Sequence, residues 1–205
     1  LRRLFRLRAV LATVLVAGLT ACASGTASDG FTDPALEAAF LFLPQGEGGV
    51  GGAGFVIAPG VAVTNRHNAN LIAPEDVLGA SELHDILFFR TERQMPVSIG
   101  TPRAGAEVIA YGDGGGALRE ARGPIELLPV TVENCPTCPP GTGFGYRAGA
   151  GPGFSGGPVV DRETGTVLGL TFGFINAPLE SGKPRLMLAY DMALVQREWA
   201  QLPPQ

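Results

Sequence analysis

Between residues 151 and 158 the chain reads Gly-Pro-Gly-Phe-Ser-Gly-Gly-Pro, a run through which neither a helix nor an unbroken strand can pass. Glycine reaches backbone dihedrals that other residues avoid, so the chain can bend sharply here and leave its N–H groups free. A serine hydroxyl beside two convergent backbone donors is what a nucleophile next to an oxyanion hole needs. Ser155 is the candidate nucleophile, and the N–H groups of Gly153 and Ser155 are the candidate oxyanion donors. The plain alternative, in a chain with 30 glycines, is a turn between two strands.

Gly153 to Gly157 also spells G-x-S-x-G, the nucleophile elbow of α/β-hydrolases, and chain order separates the two readings. An elbow enzyme places its histidine after the serine, whereas both histidines here, His67 and His84, precede Ser155. What remains is a histidine early, a carboxylate between, and the serine last. Gly54-Phe55-Val56-Ile57 and Val61-Ala62-Val63-Thr64 read as two short strands joined at Pro59-Gly60, leading into Asn65-Arg66-His67.

With those residues in view, the chain resembles the trypsin-like serine peptidases. Their "GxGFVI…VxTxxH" segment carries the general base and their "GxSGGP" segment the nucleophile. The resemblance covers nearly the whole body of the chain and implies an all-β fold. It would consist of two small antiparallel β-barrels around one cleft, closed by a C-terminal helix. It also implies acyl transfer in which Ser155 attacks, His67 moves the proton and a carboxylate orients His67, with no metal or organic cofactor.

The family sets that carboxylate just ahead of an apolar strand, which Asp85-Ile86-Leu87-Phe88-Phe89 matches. Asp76, in the polar turn Pro74-Glu75-Asp76, is the competitor. A desolvated strand edge suits an imidazole partner better than a solvated turn, and this favours Asp85. Strand alternation from Asp85 points His84 to the opposite face, as a surface histidine. His67 and Asp85 are closer in sequence than in most relatives, as though a strand or hairpin were trimmed between Asn70 and Ser81.

Leu170-Thr171-Phe172-Gly173 resembles the family segment that pairs with substrate backbone and lines the specificity pocket. Thr171 then stands where a small hydroxyl residue supports the catalytic aspartate. Gly149, six residues before Ser155, stands where enzymes that prefer basic side chains carry an acid. Gly149 and Gly173 therefore imply an open, uncharged pocket for a small or medium apolar side chain, with Arg147 nearby to favour an acidic one. Phe154 replaces the acid that pairs with a freed amino terminus in many relatives, which removes that route of activation.

Turn signals divide the body into strands at Ala38–Leu43, Gly54–Ile57, Val61–Thr64, Asp85–Arg90 and Glu107–Tyr111, then a crossover at Gly112–Gly116. A second set follows at Ile125–Val132, Gly143–Arg147, Pro158–Val160, Val167–Phe174 and Leu186–Tyr190. Met192 to Gln201 has helical spacing, with Asp191 as N-cap and Trp199 as a packing anchor. The domains expected are a signal at 1–21, a polar tether at 22–33, a first barrel at 34–113, and a second barrel with the helix at 114–205.

Arg2, Arg3, Arg6 and Arg8 precede the apolar stretch Ala9 to Leu19, too short to span a bilayer and laid out like a secretory signal. Leu19-Thr20-Ala21-Cys22 resembles a bacterial lipobox, with Cys22 as the lipidated residue and the only membrane link. Cleavage after Ala23, which would release a soluble protein, is the alternative. The expected location is thus beyond the bacterial inner membrane. Cys135 and Cys138 remain as a pair for a short local disulfide, since their prolines oppose a thioredoxin-like helix and no further ligands make a zinc site. Four of the 15 basic residues and none of the 19 acidic ones fall in the leader, which leaves the body at about −8 and disfavours nucleic acid as a partner. Peptide or protein substrates fit this reading. An inactive peptidase-like scaffold that binds peptides or a partner is the second function class, and an esterase on the same machinery the third.

Overall fold

In the computed structural model, which describes residues 25–46, 51–131, 142–175 and 183–203, several strands bury both of their faces. The elements run β1 (Thr26–Ala27), α1 (Pro34–Ala39), β2 (Phe40–Phe42), β3 (Ala53–Ala58), β4 (Val61–Thr64), β5 (Val77–Ala80) and β6 (Leu87–Arg90). There follow β7 (Glu107–Asp113), β8 (Leu118–Val130), β9 (Gly143–Arg147), β10 (Pro158–Asp161), β11 (Val167–Phe174), β12 (Leu186–Asp191) and α2 (Met192–Gln201). Strands β2, β3, β4, β6 and β5 form one antiparallel sheet in that order. The second sheet runs β1-β8-β7-β10-β11-β12-β9, and β9 pairs again with β8, closing a six-stranded barrel with β1 on its outer edge.

Side-chain alternation explains the packing. Val108 and Ala110 of β7 fill the second barrel together with Phe144, Tyr146, Val159, Leu168 and Met187. Their neighbours Ile109 and Tyr111 point the other way, into a core shared with Phe55, Val63 and Phe88 of the first sheet. Strands buried on both faces read as continuous apolar runs, and each fully buried aliphatic or aromatic side chain adds roughly 1.5–3 kcal/mol. The mostly β, chymotrypsin-like two-barrel architecture and the closing helix match the sequence expectation, including α2 itself, whose N-cap Asp191 accepts from the Leu194 N–H at 2.6 Å.

Several expected details differ. Glu107–Tyr111, assigned to the first barrel, is the core of β7 and pairs with β8 and β10 of the second. Gly112–Gly116 is no crossover: Asp113 faces Leu118 across the end of the β7–β8 hairpin, and residues 91–106 carry the chain between sheets. The segment thought trimmed contains a short strand, β5, paired with β6. Ala38–Leu43 starts as helix, because Asp33 caps α1 and Pro34 fits its first turn. Part of the 22–33 tether is docked: Thr26 and Ala27 pair with Glu120 and Arg119, and the Gly25 N–H donates to the Gly149 carbonyl at 2.7 Å. Cys22, Cys135 and Cys138 lie outside the described residues.

Helix α2 leaves the second barrel and reaches back to the first. Its Trp199 ring packs on Phe88 with centroids 5.3 Å apart. Because Trp199 is only partly buried, Trp199→Ala should cost about 2–3 kcal/mol of unfolding free energy, measured by urea denaturation.

Candidate active site

The type II turn Gly151–Phe154 sets the backbone of the candidate nucleophile. Its closing bond runs from the Phe154 N–H to the Gly151 carbonyl at 3.1 Å. Pro152 supplies the fixed φ of the second position, and Gly153, at φ 90°, the positive φ of the third. A side chain at Gly153 would collide with the Asp113 carbonyl oxygen, so only glycine fits. The N–H groups of Phe154, Gly156 and Gly157 are all taken, by Gly151, Thr171 and Phe154. Among the described residues, those of Gly153 and Ser155 have no acceptor, as a pair of oxyanion donors requires.

The first sheet holds this segment from the other side. The Ser155 carbonyl accepts from the Ala53 N–H at 3.0 Å and from Asn68 Nδ2 at 3.2 Å. Asn68 Nδ2 also donates to Thr64 Oγ1 at 3.0 Å, and that hydroxyl donates to the Ala53 carbonyl at 2.7 Å. Gly156, at φ 82°, fits against Ala53 and Thr64 where a Cβ would not. Thr64 ends β4 and His67 follows in the 3-10 turn Arg66–Leu71, so the histidine is fixed relative to Ser155 through Asn68.

His67 Nδ1 lies 2.6 Å from Asp85 Oδ2, and the His67 backbone N–H donates to Asp85 Oδ1 at 2.9 Å. This two-point contact fixes which ring nitrogen faces the carboxylate and turns Nε2 outward. The histidine side chain is 47% exposed and the aspartate 31%. Asp85 is thus partly buried, and it lies not in a strand but in the bend before β6, which starts at Leu87. Burial acts to raise its pKa, but hydrogen bonds from the His67 ring and backbone, the attraction of His67 and the Arg66 N–H outweigh it and hold the carboxyl below its ordinary value. Asp76, the competitor, sits in the turn Pro74–Asp76 with no bond to His67.

A cleft of about 590 Å³ gathers His67, Ser155, Gly153, Thr171, Phe172 and Gly173, with Phe174 and Met187 on its wall. Ser155 and His67 share it without a hydrogen bond between their side chains, a contact that often tightens only with substrate bound. Gly149 is exposed and outside this lining, so it does not shape the pocket. The Arg147 guanidinium is bound to Glu126 at 2.8 Å and to the Pro184 carbonyl at 3.1 Å. Thr171 does not support Asp85: its hydroxyl pairs with the buried Tyr146 hydroxyl at 2.9 Å. Burial pushes the Tyr146 phenol up, so it stays neutral there.

His84 corrects a second expectation. It is buried, with Nδ1 2.8 Å from Glu198 Oε1 of α2 and 3.4 Å from Ser81 Oγ. Residues 82–85 form a bend rather than a strand, so strand alternation does not govern where His84 points. Ser81, His84 and Glu198 include the residue types of a hydrolytic triad, but both partners converge on one ring nitrogen and the group is buried, so it cannot relay a proton to substrate. Asn68 and Tyr190 escaped the sequence reading. Asn68 adjoins the histidine and had that position as a signal, whereas Tyr190 had none.

Because the Asp85 pKa is depressed on folding, its contribution to stability is present above the ordinary value of 3.8 and is lost as pH falls through the folded value. The gap in unfolding free energy between wild type and Asp85→Asn should be widest above about pH 5 and shrink on acidification below pH 4. Denaturation midpoints across that range test it.

No family model matches the chain, and no curated protein matches it. Solved structures do. A serine-to-alanine mutant of Rv3671c from M. tuberculosis H37Rv, in an inactive form, superposes with TM-score 0.64 at 21% identity, over 89% of this chain and 100% of that one. A serine-to-alanine variant of the HtrA-type protease AlgW with a tripeptide gives 0.58 at 18%, over 78% of this chain and 57% of that one. The MamO protease domain from Magnetospirillum magneticum gives 0.57 at 18%, over 80% and 97%. At such identities the likeness is one of architecture: this chain has the chymotrypsin-like two-barrel fold of these serine proteases.

Proposed function

We propose that this protein is a serine endopeptidase. Ser155 attacks the peptide carbonyl, His67 takes the serine proton and returns it to the leaving amine, and Asp85 stabilises the imidazolium. The N–H groups of Gly153 and Ser155 receive the oxyanion. Attack forms the acyl-enzyme with release of the amine half of the substrate, and water, activated by the same histidine, releases the acid half. The observation that carries this reading is the 2.6 Å His67–Asp85 contact beside the two open donors in one cleft. Phe172 and Gly173 lie where an extended peptide would run, and Thr171 and Met187 close the wall, which suits a small or medium apolar side chain. The leader and Cys22 support action beyond the inner membrane on a lipid anchor.

One observation favours a second reading, a scaffold that binds peptides without cutting them: the side chains of Ser155 and His67 are not hydrogen-bonded. A fluorescent fluorophosphonate separates the two, since it labels only an activated serine. The peptidase reading requires labelling that disappears in Ser155→Ala and slows by about 10⁴-fold in Asp85→Asn. Folded wild type that stays unlabelled supports the scaffold. For the anchor, cells fed a clickable palmitate analogue should label wild type and not Cys22→Ser.

A further inference from the structure

Asp85 lies in the bend ahead of β6, so no strand ladder holds its peptide groups, and side chains do so instead. Its carbonyl accepts from Asn65 Nδ2 at 2.9 Å, and its N–H donates to the Tyr190 hydroxyl at 3.2 Å. Asn65 belongs to the histidine segment, whereas Tyr190 stands on β12 of the other barrel.

The Tyr190 ring has almost no freedom. On one side it stacks on Phe172, centroids 4.0 Å apart and planes 18° apart. On another it meets the edge of His84 at 5.5 Å and 80°, and His84 is pinned by Glu198 of α2. A ring so clamped delivers its hydroxyl to one place. That place matters because the hydroxyl of Thr171, on the neighbouring strand, is spent on Tyr146 and supplies nothing to Asp85.

We propose that Tyr190 is a positioning residue for the His67–Asp85 pair, its hydroxyl holding the Asp85 backbone at the angle that keeps the carboxylate on His67 Nδ1. The proposal deepens the serine-peptidase reading and rests on it for its catalytic meaning. The 2.6 Å contact is the quantity at stake, because a partly exposed carboxylate released from one backbone tether can turn toward water. A displacement of a fraction of an ångström in such a pair is enough to cost about tenfold in rate.

The test uses the full chain with Tyr190→Phe, which keeps the ring and its two ring contacts and removes the hydroxyl. A proton held in so short an N–H···O⁻ bond is strongly deshielded, and its resonance reports the pair without any turnover. We expect that resonance in wild type, and its upfield shift or loss by exchange in Tyr190→Phe at a thermal midpoint within a few degrees of wild type. The maximal rate of fluorophosphonate labelling should fall about tenfold, with little change in the concentration giving half that rate. If Tyr190→Phe does not fold, Tyr190→Met takes its place, keeping apolar volume without the hydroxyl. A resonance with the wild-type shift and exchange rate in the variant overturns the proposal, as does its absence from wild type. Wild type that shows the resonance but resists labelling defeats the peptidase reading alone, and the comparison with the variant still decides the role of Tyr190.

Discussion

The carbonyl of Ser155 is the point on which the site depends. It is held by the Ala53 N–H of the first sheet and by Asn68 Nδ2 of the turn that follows β4, while the residues on either side of Ser155 belong to the second barrel. Two bonds therefore fix the relative position of a nucleophile on one barrel and a base on the other. Asn68 serves both sides, since its amide also holds Thr64 at the end of the strand that leads to His67. A buried polar group with its bonds satisfied has one geometry, and here that geometry is the distance across the cleft.

Coupling between the barrels recurs behind the site. Asp85 receives one tether from its own barrel and one from β12, and the C-terminal helix pins His84 from the far side through Glu198. The face turned to substrate is open and the face turned to the core is tied down. This is the division a hydrolytic site needs, because water and substrate must reach the chemistry while the groups that perform it stay fixed.

The sequence was most readable where local chemistry dictates the backbone. The glycines and prolines around Ser155 and the Asp191 cap each force a conformation from within a few residues, whereas the T-x-x-H segment is legible only through its family resemblance, since His67 is held by Asp85, 18 residues away. It was least readable where partners come from afar. Glu107–Tyr111 is an equally good strand for either barrel, and only its pairing with β8 and β10 decides. The burial of His84 depends on Glu198, 114 residues away, and the diversion of Thr171 to Tyr146 depends on which hydroxyl is nearer in space. Neither dependence leaves a mark on nearby residues.

The chain clasps itself at both ends of its described body. Residues 25–27 dock on the second barrel before the chain goes on to build the first sheet, and α2, which follows the last strand of the second barrel, lays Trp199 on Phe88 and Leu202 beside Gly79 of the first. Each barrel thus carries a piece supplied from the other side of the sequence. Cutting the chain between the sheets would yield fragments that each lack an edge or a cover, so the two barrels form one cooperative unit rather than a pair of separable modules. A protease that nicked the 91–106 crossover would leave the halves interlocked.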